Sequence, residues 1–174
     1  LSAVLEKGGA KKMLSKLMNL AKSDEIHTEG LKSVFQGIAT LGGPNELRTI
    51  FEPNFHKTPE SQAVAWAALN ASPRGVRPEG DLAVVLRLAL RSDQAELSEQ
   101  ALGLIGEWQV ADLHDDVAAL VDDNQLVGAI RLAAVRALGL LGGDDTKRLA
   151  KLIDSGDATE QLKLAALDSL SRVD

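Results

Sequence analysis

Gln100-Ala-Leu-Gly-Leu-Ile-Gly106 and Arg136-Ala-Leu-Gly-Leu-Leu-Gly142 are one segment written twice, 36 residues apart. Five of the seven positions are identical, and Ile105 and Leu141 are both apolar at a sixth. Weaker copies end near Leu41 (Gly37-Ile-Ala-Thr-Leu-Gly42), Leu69 (Ala65-Trp-Ala-Ala-Leu-Asn70) and Leu170 (Ala166-Leu-Asp-Ser-Leu-Ser171), which gives five anchors along the chain. Self-similarity at this period is the mark of stacked supersecondary units.

Upstream of each anchor lies an apolar triplet spaced i, i+3, i+4, the pattern of one helix face. The triplets are Leu17/Leu20/Ala21, Leu47/Ile50/Phe51, Leu86/Ala89/Leu90, Val117/Leu120/Val121 and Leu149/Leu152/Ile153. Their first members are separated by 30, 39, 31 and 32 residues, so each unit is a pair of helices. Asp93-Gln-Ala-Glu96 and Asp157-Ala-Thr-Glu160 have capping-box spacing, and Thr58-Pro59 puts proline where its missing N–H costs nothing. Gly42-Gly43 and Gly142-Gly143 are expected to end helices through positive φ. The spacing predicts helices over 10–22, 26–41, 45–52, 59–70, 80–91, 95–108, 112–121, 126–141, 145–154 and 159–172.

One such pair cannot bury its apolar stripe alone, so neighbouring pairs must stack around a shared core, which predicts an all-α α-solenoid. Alanines on the second helices (Ala101, Ala134, Ala137 and Ala166 among them) permit close approach, with the Leu anchors expected in the core. One repeat domain is expected over 1–174, with units near 10–43, 44–71, 80–108, 111–143 and 144–174. Because Leu1 is neither an initiator Met nor the start of a signal peptide, the domain is read as a piece of a longer chain.

The composition, 45% hydrophobic and 25% charged over 174 residues, is that of a globular domain. There is no Cys and no Tyr, which removes a disulfide framework, a thiolate nucleophile and a cysteine zinc site. The net charge of −6 is uneven: residues 1–87 carry 11 basic and 9 acidic side chains, residues 88–174 carry 8 and 16. That imbalance disfavours nucleic acid as a partner of the second half. No apolar run approaches the roughly 18 residues of a membrane span, so no membrane insertion is expected.

Ile130-Arg-Leu-Ala-Ala-Val-Arg-Ala-Leu-Gly-Leu-Leu-Gly-Gly143 resembles the second helix of HEAT-like repeats of the bacterial phycobilisome-lyase type, and Asp122-Asp123 stands where such repeats place acidic turn residues. The resemblance implies a right-handed α-solenoid of about five HEAT-like helix pairs. It is strongest over 93–153, and the insertion Ser72-Pro-Arg-Gly-Val-Arg-Pro-Glu-Gly80 departs from it. A narrower resemblance, carried by Arg74-Gly-Val-Arg-Pro-Glu-Gly-Asp81, Ala101-Leu-Gly-Leu-Ile-Gly-Glu-Trp108 and Arg131 through Gly143, is to the HEAT-like segment of planctomycete-type proteins that join a dehydrogenase-like propeller to a c-type cytochrome domain. The haem-attachment motif Cys-x-x-Cys-His needs two cysteines that this chain lacks, so this second resemblance implies a periplasmic connector between domains of a larger redox protein. The lyase-type resemblance implies the alternative, an enzyme accessory that holds a tetrapyrrole.

Few residues suggest chemistry. Asp112-Leu-His-Asp-Asp116 gathers N and O donors, but adjacent positions point around a helix, and acids in a first turn complement its dipole. His27 and His56 are read as exposed or capping side chains, and the glycines of Gly139-Leu-Leu-Gly-Gly143 close a helix where a phosphate loop would open one. No catalytic residue, metal site or cofactor is therefore assigned. The candidate partner-binding residues are Arg74 and Arg77 in the Pro- and Gly-punctuated insertion, Trp66 and Trp108 as aromatic anchors, and Arg131 and Arg136 on a second helix. Each has a plainer reading: a rigid loop, packed rings, and ion pairs from the two arginines to turn carboxylates such as Asp122 or Asp123. The function expected is a non-catalytic interaction or spacer module whose partner is a protein segment or the flanking domains of its parent chain.

Overall fold

The computed structural model describes residues 2–23, 28–52, 55–56, 58–72, 75–126 and 128–172. Among these, all regular structure is helical: α1 (Ser2–Ala21), α2 (Thr28–Leu41), α3 (Pro44–Thr49), α4 (Pro59–Asn70), α5 (Ala83–Leu90), α6 (Ala95–Glu107), α7 (His114–Asp122), α8 (Gly128–Leu141), α9 (Thr146–Asp154) and α10 (Glu160–Leu170), with a 3-10 turn at Ala111–Leu113. Each helix expected from the apolar spacing is present. The largest difference is at α1, which runs straight through Gly8 and Gly9. The helices form two compact units, Leu1–Asp81 and Leu82–Asp174.

In the first unit, α2 packs on α1 and on α4. The unit holds four of the five Phe and Trp rings, and Phe35, Phe51, Phe55 and Trp66 are all buried. Phe51 stacks on Trp66 at 5.1 Å between ring centroids, close to the preferred separation of aromatic pairs. Thr58 caps α4 by accepting the Ser61 N–H at 3.2 Å, with Pro59 at the first helical position as expected. His56 is wedged beside Phe35 and Phe55; its Nε2–H donates to the Ile50 carbonyl at 2.8 Å, and burial pushes its pKa down to about 4. The Gly42-Gly43 break works without positive φ. Gly43 is the extended N-cap of α3, and its N–H donates to the Glu46 carboxylate at 3.0 Å.

In the second unit α6 packs on α8 and α8 on α10, while α5, α7 and α9 lie against α6, α8 and α10 respectively. Small residues set the approach of the second helices. A Cβ at Gly139 would stand 2.5 Å from Ser169 Cβ and 2.9 Å from its Cα, so only glycine fits between α8 and α10. The buried Ser169 hydroxyl spends its donor on the Val135 carbonyl at 3.1 Å. Gly142 and Gly143 take positive φ, at 71° and 120°, and turn the chain after α8. The expected Asp capping boxes do not form: Thr159 caps α10 through the Leu162 N–H at 3.3 Å, and α6 has no side-chain cap.

The glycine-marked anchors divide: Leu69 and Ile105 are buried, Leu141 and Leu170 are half-buried and Leu41 is 38% exposed, whereas Ile38, Trp66, Leu102 and Leu138, each three residues before its anchor, are all buried. The fifth member of that set, Leu167, is 50% exposed. Among the described residues no helix is long and apolar enough to cross a membrane.

Candidate functional site

The six residues expected to meet a partner have separate fates. Arg74 lies outside the described residues, as does His27, and Arg77 is exposed on the loop that follows α4. Trp66 is 0% and Trp108 6% exposed, so both rings are committed to the packing of their units. Arg131 and Arg136 sit five residues apart on α8 and face two different grooves.

Arg136 lies in a groove between α8 and α10, of about 380 Å³, with Leu132 and Leu164 on its apolar walls and Gln161 and Asp168 at its edge. Leu164 is 64% exposed there, and Leu167 continues the stripe one turn along α10. Asp168 is drawn to Arg172 at 3.1 Å, and Arg136 makes no ion pair among the described residues. The groove thus sets an exposed apolar strip beside a guanidinium that has no ion pair among the described residues.

Arg131 turns the other way, toward a cleft of about 350 Å³ formed where α7 and α9 end. Its Nε donates to the Val121 carbonyl at 2.9 Å, capping the last turn of α7. The ion pair with Asp122 belongs to Arg148 instead, whose Nε stands 3.2 Å from the carboxylate.

Arg148 also opens a charge network that the sequence did not reveal. Its second nitrogen pairs with Asp145, a buried carboxylate whose other oxygen accepts from His114 Nε2–H at 2.6 Å. His114 Nδ1–H faces Asp115 at 3.3 Å. The hydrogen bond to Asp145 holds the His114 pKa above its usual value, working against partial burial and helped by Asp115. Both His114 nitrogens are engaged by carboxylates, so the network ties α7 to α9. Asp116 is turned to Arg87 at 2.9 Å, which separates the carboxylates of the Asp112 to Asp116 run. No group of three or more potential metal ligands occurs among the described residues. The spacing of Asp145 and Arg148, i and i+3, was a visible signal for half of this network; the His114 contact, 31 positions away, was not.

The chain matches no family model, no curated protein and no solved structure.

Proposed function

We propose that the chain is a non-catalytic interaction module of stacked helix pairs, each unit a segment of a right-handed HEAT-like α-solenoid, and that it docks a helical protein segment in the groove between α8 and α10. The supporting observation is Leu167. Four residues at the corresponding place before their anchors are buried, and this one is half exposed one helical turn after Leu164, which lines the groove that holds Arg136. Elsewhere in the repeat such a position is covered by packed helix, so a helix is the natural occupant here. Helices α8 and α10 are held by direct packing and the Ser169 bond, so the surface exists before the partner arrives and docking costs little ordering entropy.

A photo-crosslinking residue placed at Leu164, with a control at the exposed Val84 of α5, tests the reading. A single saturable protein adduct at position 164 supports it. No adduct there, or equal labelling at both positions, counts against it.

A further inference from the structure

We propose that the cleft between the ends of α7 and α9 binds one carboxylate group, carried by a small organic acid or by the C-terminus of a peptide. This site is distinct from the α8/α10 groove and stands or falls separately.

Charge placement is the first observation. Residues 88–174 hold eight basic side chains among sixteen acidic ones, and four of the eight, Arg131, Lys147, Arg148 and Lys151, line this cleft and the groove beside it. Solubility alone gives no reason to gather cations so closely in an acidic surface.

Donor accounting is the second. Arg131 spends only Nε on Val121, leaving its two terminal nitrogens without a partner among the described residues. That open edge of the guanidinium matches the two oxygens of a carboxylate in a bidentate pair. Arg148 is pinned by Asp122 and Asp145, which fixes its position on the cleft wall. Lys151 makes no bond or ion pair among the described residues and brings three further donors.

The lining also selects the ligand's charge. Arg131, Arg148 and Lys151 oppose Asp122 and Asp157, which leaves one net positive charge. A monoanion balances it, whereas a phosphate dianion would meet the two carboxylates, and a long polyanion would meet the acidic surface around the cleft. A volume of about 350 Å³ suits a single small residue. Val121 and Leu152 supply the apolar wall for its side chain.

Calorimetric titration of the whole chain with N-acetylalanine, tetra-alanine and the C-terminal amide of each tests the assignment. Both free acids should bind at least tenfold tighter than their amides, as expected for a charge-assisted pair. Tetra-alanine binding tighter than N-acetylalanine identifies a peptide C-terminus as the source, and equal or weaker binding identifies a small acid. Arg131→Gln should weaken the acids at least tenfold. Lys151→Gln, which breaks no bond within the fold, should weaken them severalfold and so guards against a folding defect in the first variant. Acids and amides that bind alike, no binding at millimolar concentration, or affinities untouched by both substitutions would overturn the proposal.

Discussion

Replacing Gly139 by alanine probes the packing of α8 on α10 at its tightest point. In an isolated helix the change is stabilising by about 1 kcal/mol, because glycine is the poorer helix former. Here the new methyl would stand 2.5 Å from Ser169 Cβ and 2.9 Å from the Ser169 backbone, distances that no rotamer change removes. The helices must separate, and the Ser169 hydroxyl is pressed away from the Val135 carbonyl. Overpacking of this kind costs about 1–3 kcal/mol, and the bond to Val135 about 1 more if it is lost, which together outweigh the propensity gain. Gly139→Ala is therefore expected to destabilise by roughly 1–3 kcal/mol in urea unfolding followed at 222 nm. Gly128→Ala on the same helix, where nothing lies within 4 Å of the new Cβ, should be neutral or slightly stabilising. Ser169→Gly in the Gly139→Ala background should recover part of the loss, giving a favourable coupling between the two sites. Equal effects at Gly139 and Gly128, or strict additivity with Ser169, would refute the close approach.

Leu138→Ala should cost about 2–5 kcal/mol, and Leu141→Ala less than half as much, since Leu138 is buried and Leu141 only half-buried; equal losses in urea unfolding would put Leu141 in the core as well. The first unit's stability should fall as pH drops from 6.5 to about 4, because the unfolded chain protonates His56 before the folded chain does. The full contribution is on the order of 3 kcal/mol, and His56→Gln should flatten this part of the pH–stability curve. His114 has the opposite sign: its raised pKa stabilises the folded state below pH 6.5, and this contribution is lost as pH rises through the folded value. A His114→Gln variant that keeps the wild-type decline in stability above pH 6.5 would remove Asp145 as the cause.

The helices were legible because the apolar triplets obey a 3.6-residue period, and that period survives wherever one face is buried. The register of the core was less legible. Some glycine-marked anchors sit at helix ends, where burial fades, and helical side chains lean toward the N-terminus, so Leu138 takes the interior that Leu141 appeared to claim, while Leu102 and Ile105 are both fully buried. At the site, Arg131 and Arg136 were visible as second-helix cations. Five residues advance about 140° around a helix, which sends them to separate grooves. Arg148 went unnoticed because its importance rests on a buried Asp145, and that burial depends on tertiary contact with His114.

The affinity of the crosslinked partner for wild-type protein against a Leu164→Asp/Leu167→Asp variant tests the central claim most directly. Both side chains are exposed, at 64% and 50%, so the variant should keep its helicity and melting temperature. The account predicts binding weakened by at least tenfold, as expected when an apolar anchor at an interface centre is replaced by a buried charge. Unchanged affinity in a variant that folds as wild type does would contradict it.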